Sequence, residues 1–384
     1  MSQFDDIRPY NDDEVRPILD KLLADGEFLD TVARLKLRGA IGGFARLARP
    51  MVRRRLAREV SGVSSVLEFQ QRVEVYLGQM LERTTSSLTC SGLDQLDAKA
   101  PHLFISNHRD IAMDPALVNW VIYHSGFSTL RIAIGDNLLT KPFASDLMRL
   151  NKSFIVRRAL TNRRDKLVAA KNLSSYIHHS VLGNDRENVW IAQREGRAKD
   201  GLDQTNPALI NMLAMSKDKA MSFGDFIEEA RIVPVAVSYE YDPCDQAKAR
   251  ELYEKATHGT YTKEQHEDVE SIARGITGFK GHCHVAFGTP LSASYEDADQ
   301  VAEEIDRQIE ANYVLHPSNC LAFEMLEKRT PKVRVGEQQQ AFDGIDWNAE
   351  RSEFRSRLET CSEKYKTTLL TAYANPVYKR LGLK

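Results

Sequence analysis

Little in this sequence fits a disulfide-built, membrane-spanning or metal-built protein. Cysteine is scarce: Cys90, Cys244, Cys283, Cys320 and Cys361 are scattered over 384 residues and make no C-x-x-C pair. An odd, dispersed set argues against a disulfide frame or a zinc site and for a reducing compartment. No run of about 18 apolar residues occurs, so no spanning helix is expected. The nearest approach, Pro115 to Leu130, is interrupted by Asn119, His124, Ser125 and Ser128. Met1 to Asp13 is polar and acid-rich, without the basic start and apolar run of a signal peptide. With 52 basic and 54 acidic side chains, the net charge is -2, so no global excess points to nucleic acid. Repeats and low-complexity tracts are absent. What remains is an ordinary globular composition, 42% hydrophobic and 28% charged, expected to build a sizeable core in the cytoplasm.

Charge is nonetheless uneven. Between Arg34 and Arg58 there are nine Lys/Arg and no acid, interleaved with Leu35, Leu37, Ile41, Phe44, Leu47, Met51, Val52 and Leu56. Pro50 predicts a break or kink in any helix there. The mixture suits docking on an anionic membrane surface, where each base contributes about 1 kcal/mol. The alternatives are a solvated basic face or a nucleic-acid patch. Phe44 is the segment's single aromatic residue, which disfavours base stacking.

Apolar spacing predicts helices over residues 12–31, 64–83, 115–123, 143–150 and 162–182. In the helix after the first buried strand, Asp114 is the expected N-cap and Pro115 the first residue. Strands are predicted at 86–90, 102–106, 129–134, 154–156, 188–193, 232–239 and 282–287. Strands alternating with helices indicate an α/β fold, a layered sheet with flanking helices. Residues 1–95 read as a helical, basic, membrane-docking segment, 96–295 as the α/β domain, and 296–384 as a C-terminal helical extension.

The chemistry concentrates in Ser106-Asn107-His108-Arg109-Asp110-Ile111-Ala112-Met113-Asp114-Pro115. A histidine at a strand end, with two carboxylates within six residues, is where an α/β sheet presents reactive groups. An imidazole held by a carboxylate can take a proton from a hydroxyl. His108-Arg109-Asp110 matches the start of a kinase catalytic loop, but Pro115 stands where the metal-binding asparagine belongs. No D-F-G and no G-x-S-x-G elbow occurs either, which removes the kinase and the usual serine hydrolase. Two further segments end strands in charge: Phe154-Ile155-Val156-Arg157-Arg158, and Trp190-Ile191-Ala192-Gln193-Arg194-Glu195-Gly196-Arg197. Guanidinium groups there suit a phosphate, which they bind bidentately.

The order of these blocks resembles the glycerolipid acyltransferase family, which includes glycerol-3-phosphate and 1-acylglycerol-3-phosphate acyltransferases. Asn107-His108 with a following Asp looks like the first block and Phe154 to Arg158 like the phosphate-binding second. Glu195-Gly196-Arg197 resembles the third, with one residue fewer, and Val233-Pro234-Val235 the fourth. The resemblance covers roughly residues 100 to 291. Two departures stand out: five residues separate His108 from Asp114 where the family has four, and Arg194 replaces the proline of the usual P-E-G. The resemblance implies an acyltransferase in phospholipid synthesis. His108 is then the general base, with Asp114 or Asp110 as its partner; Asp114 is favoured because it heads the helix. Asn107, Arg157, Arg158, Arg194, Glu195, Gly196 and Arg197 are implied on the acceptor side, and backbone amides at the helix start would hold the oxyanion. The expected acceptor is 1-acylglycerol-3-phosphate. The acyl thioester, acyl-CoA or acyl carrier protein, is a co-substrate, and no metal or resident cofactor is implied. Transfer to a lyso-lipid without phosphate and a non-catalytic lipid-binding protein are the competing readings.

Overall fold

The computed structural model describes residues 3–36, 42–183, 185–264, 266–334 and 344–383. The chain divides into two compact units, residues 1–79 with 131–172, and residues 80–130 with 173–384.

The second unit carries the sheet that positions the site. Its strands are β1 (Ser87–Ser91), β2 (Leu103–Ser106), β5 (Asn188–Ala192), β6 (Ile232–Tyr239) and β7 (His282–Phe287). Strands β2, β5 and β6 run parallel, with Ser106 level with Ala192 on one side and Val235 on the other. β7 pairs antiparallel to β6 and parallel to β1. β2 and β6 are buried at every position. Both faces of a strand are covered where helices lie on both sides of a parallel sheet, which is why LFIS and IVPVAVSY read as continuous apolar runs rather than alternating ones. The C-terminal ends of β2, β5 and β6 therefore open on one edge, the edge where α/β proteins hold their reactive groups. The extension predicted to be helical forms helices Ala298–Asn312, Pro317–Glu327, Trp347–Glu359 and Glu363–Arg380, all in this unit.

The first unit holds strands β3 (Leu130–Gly135) and β4 (Ser153–Val156), paired in parallel from Ile132 onward, and most of the N-terminal helices. Val15, Leu19 and Leu22, one helical face, pack on Val63, Val66, Phe69 and Leu150. The single helix expected over residues 12–31 is two, Asp12–Ala24 and Gly26–Lys36. Asp25 is the cause: its carboxylate accepts from the amides of Glu27 and Phe28 at 2.8 and 3.0 Å, starting a new helix instead of continuing the old one. The break expected at Pro50 does not occur, and helix Gly42–Glu59 runs through it. An interior proline costs about 3 kcal/mol. Ala48 and Val52 pack on Leu29 and Ala33 on either side of the proline, and Arg49 makes a two-bond pairing with Asp30 (2.6 Å each).

Candidate active site

The site begins where β2 stops. Asn107 is fully buried, and its carboxamide copies a backbone rung: Oδ1 accepts from the Val237 amide at 2.7 Å and Nδ2 donates to the Val237 carbonyl at 3.0 Å. Nδ2 also reaches Asp203 at 3.1 Å. These bonds tie the end of β2 to β6 and leave Asn107 as a residue that orders the loop, with no carboxamide group turned to a substrate. The next side chain, His108, projects past the strand end.

His108 Nδ1 lies 2.8 Å from Asp114 Oδ2. Asp114 is completely buried, while the His108 side chain keeps 15% of its surface exposed. The two candidate carboxylates divide the work in a way opposite to simple helix logic. Helix Met113–His124 begins one residue before Asp114, so Asp114 is inside the first turn rather than at the cap. The capping bonds come from Asp110, whose Oδ1 accepts from the Ala112 and Met113 amides at 2.9 Å each. Asp114 Oδ2 is thus free to take the His108 ring, and it also accepts from the amides of Arg109 at 2.6 Å and Asp110 at 2.9 Å. Its other oxygen accepts from the Tyr239 hydroxyl at 2.7 Å. Four of the five amides from residue 109 to 113 are therefore spent on carboxylates; the Ile111 amide is not engaged by either. Burial, then the neighbouring Asp114 charge, pushes the Asp110 carboxyl above the usual range.

The loop after β5 joins the same edge. The Ala198 amide donates to the His108 carbonyl at 2.8 Å. The Trp190 ring stands edge-on to the His108 ring at 6.1 Å, and is itself held by its Nε1 bond to Ser106 Oγ at 3.0 Å. Arg109 turns the other way. Its guanidinium donates to Asp203 at 2.6 Å and to the Gly201 carbonyl at 3.2 Å, and lies over the Tyr313 ring. Lys248, paired with Asp242, donates to the Arg109 carbonyl at 2.6 Å. The loop is braced from the C-terminal helix Glu363–Arg380 as well. Asn375 Nδ2 donates to the Asp200 carbonyl at 2.7 Å, and Gly201, in the left-handed region at φ 80°, approaches so closely that a Cβ there would sit 2.1 Å from the Ala372 carbonyl oxygen. Only glycine satisfies both demands.

Residues 87–238, which include this edge, match the family described as Acyltransferase. The likeness is thus to this family over about two fifths of the chain. A glycerol-3-phosphate acyltransferase of Alteromonas mediterranea is 29% identical over 190 residues, covering 50% of this chain and 21% of the relative. One from Pseudoalteromonas atlantica is 29% identical over 193 residues, 50% of this chain and 22% of the relative. The chain thus spans about a fifth of the length of these curated relatives. A crystal structure of the 1-acyl-sn-glycerophosphate (LPA) acyltransferase from Thermotoga maritima aligns over 83% of this chain and 99% of its own, at 14% identity and a TM-score of 0.33.

Within the matched segment, the structure brings together His108, Asp110, Asp114 and the backbone that carries Arg197. Arg194 is half-buried and Glu195 and Gly196 are exposed, with Gly196 at φ 78° making the turn that brings Ala198 back to His108. Arg197 is half-buried; its Nη2 makes a long 3.4 Å contact with Ser271 Oγ, and its buried Nη1 has no protein partner. Arg157 and Arg158 belong to the first unit. The Arg157 guanidinium donates to Asp6 at 2.6 Å, and the Arg158 amide to Asp136 at 3.0 Å. Sequence reasoning missed Tyr239 and Asp203. Tyr239 had a usable signal: it shares a strand face with Val235 and Val237, and it is the one polar-tipped residue of that face at the reactive end of a central strand. Asp203, in an irregular loop, had none.

Proposed function

We propose that this chain transfers a fatty acyl group from a thioester to a hydroxyl of a glycerol-phosphate-type acceptor, with His108 as general base. One observation carries the reading: His108 Nδ1 is fixed on a buried carboxylate at 2.8 Å, so the ring's other nitrogen, Nε2, is the one presented as acceptor at the partly exposed side. The acceptor O–H gives its proton to Nε2 while its oxygen attacks the thioester carbonyl. Asp114 stabilises the imidazolium so formed. As the C–S bond breaks, His108 returns the proton to the leaving sulfur, giving an ester and a free thiol. No covalent enzyme intermediate is required. With the amides of Arg109, Asp110, Ala112 and Met113 already taken, the Ile111 amide is the one of that stretch left for the oxyanion. The curated relatives are named for glycerol-3-phosphate, which supports a phosphate-bearing acceptor; 1-acylglycerol-3-phosphate is the one we assign. Arg194 and Arg197 are assigned to its phosphate, and Glu195 to acceptor hydroxyls or to the arginines. The donor is acyl-CoA or acyl carrier protein.

The test is product formation by mass spectrometry with each acceptor and each donor. We expect phosphatidate from 1-acylglycerol-3-phosphate, and a loss of about 100-fold or more in His108→Ala at unchanged fold. Near-normal turnover by that variant would sink the mechanism.

A second reading, peripheral membrane docking, rests on helix Gly42–Glu59. Leu47 and Met51 are 79% and 63% exposed, on a face with Arg54 and Arg58, which are also exposed. Leu37 and Ile41 lie outside the described residues, as do the side chains of Leu35 and Phe44. Among the described residues no helix is long and apolar enough to cross a membrane. A helix carrying both large apolar and basic side chains outward suits the headgroup layer of an anionic bilayer.

A further inference from the structure

We infer that Tyr239 is a positioning residue that sets how strongly Asp114 holds the proton on His108, and so the lowest pH at which the base works; the inference rests on the acyltransfer reading above. Asp114 has two oxygens with different tasks. Oδ2 faces His108, and Oδ1 is occupied by the Tyr239 hydroxyl at 2.7 Å. Tyr239 sits 125 residues away in sequence, at the last position of β6, level with Cys283 on β7. Both side chains of the Tyr239–Asp114 pair are buried, so the bond is made without competition from bulk water.

The phenol's role is narrowed by what else lies near. The cavity that Tyr239 lines holds about 40 Å³, room for a few waters. The Tyr239 side chain is buried and its hydroxyl is spent on Asp114, so it is not offered to a substrate. Nor is it a proton source for the reaction: burial, then the Asp114 charge, pushes its phenol well above the ordinary range, so it remains a donor throughout. The other ionisable groups around Asp114 are Asp110 and Arg109 on its own loop, Cys283 on β7, and Tyr313 after helix Ala298–Asn312. Arg109 is neutralised by Asp203. Burial raises Cys283 to about 12 and raises Tyr313 as well, so neither carries charge near neutrality. Among the described residues, Tyr239 is thus the side chain, apart from His108, that donates a hydrogen bond to this carboxylate.

A carboxylate that accepts a strong bond on one oxygen is a weaker base at the other. With Tyr239 in place, Asp114 orients His108 and supports its cation without clamping the proton. Without the hydroxyl, Asp114 pulls harder on the Nδ1 proton, the imidazolium is favoured, and the neutral base is available only at higher pH. Two features separate this from a packing role: the effect is on the acidic limb of the rate profile, and it needs the Asp114 charge.

The experiment is Tyr239→Phe, which keeps the ring and removes the hydroxyl. The acidic limb of kcat against pH, and the protonation midpoint of the His108 ring read by NMR of histidine-labelled full chain, both move to higher pH. Turnover on the acidic side falls about three- to tenfold, turnover on the alkaline plateau stays within about twofold, and KM for both substrates is unchanged. In an Asp114→Asn background the same change moves neither quantity. Should Tyr239→Phe fold poorly, 3-fluorotyrosine placed at position 239, a stronger donor, shifts both in the opposite direction. An unmoved His108 midpoint in Tyr239→Phe, or an equal shift in the Asp114→Asn background, overturns the inference. Because the ring titration needs no substrate, a wild-type chain that transfers no acyl group would refute the acyltransfer reading while the titration still decides the role of Tyr239.

Discussion

Asp114→Asn and Asp110→Asn, made separately, test the division of labour between the two carboxylates. In Asp114→Asn the amide oxygen can keep the Oδ2 place, since three donors converge there: His108 Nδ1 at 2.8 Å, and the amides of Arg109 and Asp110 at 2.6 and 2.9 Å. The amide nitrogen then meets the Tyr239 oxygen, which can rotate to accept. The ring keeps its tautomer, and what is lost is the charge opposite the imidazolium. Two unit charges about 4 Å apart attract by about 4 kcal/mol at an effective dielectric constant of about 20. Full loss corresponds to about 1000-fold in kcat and half of it to about 30-fold, at about 1.4 kcal/mol per tenfold. We expect a fall within that range, with KM little changed. Asp110→Asn keeps the caps of Ala112 and Met113, since asparagine caps as well as aspartate. The folded protein raises the Asp110 carboxyl above its unfolded value, so whatever stability that group contributes is present at low pH and lost as pH rises through the folded value. Asp110→Asn removes that loss, and at neutral pH the variant is as stable as wild type or more so, with near-normal turnover. The assays are steady-state acyl transfer and thermal unfolding at pH 5 and pH 8. A dead Asp110→Asn beside an active Asp114→Asn would refute the assignment of His108's partner.

Arg197→Ala is expected to raise KM for the phosphate-bearing acceptor about tenfold or more and to leave that of the thioester alone; Arg197→Lys recovers only part, because an ammonium lacks the bidentate fork. Initial rates with each substrate varied in turn check this, and equal effects on both would point away from a phosphate role. Glu240 gives a second pH effect: burial, reinforced by Glu350, pushes its carboxyl up to about 7 against an ordinary 4.5. Its contribution to stability is thus present below about 4.5 and lost as pH rises through about 7, so Glu240→Gln should flatten that decline, as measured by denaturant midpoints from pH 4 to pH 8. For the membrane, Arg53→Gln with Arg54→Gln should weaken co-sedimentation with anionic vesicles, more at 0.1 M than at 1 M salt, where the Debye length is about 10 and about 3 Å. Arg55 adds less, being paired with Glu59 at 2.9 Å. Binding that ignores both salt and vesicle charge would remove the electrostatic part of the reading.

Local sequence carried much of the architecture. The strands LFIS, NVWIA and IVPVAVSY are short, largely apolar runs suited to a covered sheet, and their C-terminal ends lie at the edge that carries His108. What local sequence does not hold is the outcome of competition between similar groups. Asp110 and Asp114 are both good caps, and which one caps depends on whether the helix opens at Met113 or at Pro115, a matter of two residues. The bond from Tyr239 to Asp114 depends on the register of β6 beside β2. The break at Asp25 and the continuous helix at Pro50 are both cases in which a local preference met a specific bond: a side-chain cap in the first, and the Asp30–Arg49 pair with its apolar contacts in the second.

The brace between Asn375 and the loop at Asp200 spans 175 residues. During synthesis, His108, Arg197 and the strands that bear them all leave the ribosome long before Ala372 and Asn375 do. A nascent chain halted after β7 would thus hold every recognisable sequence block and yet lack the support that fixes residues 200 to 203, where Asp203 meets Arg109 next to the base. Long-range closure of this kind is slow to form because the intervening chain must be ordered first. The arrangement around His108 would then be completed late in translation, after every block that carries the family resemblance has already emerged.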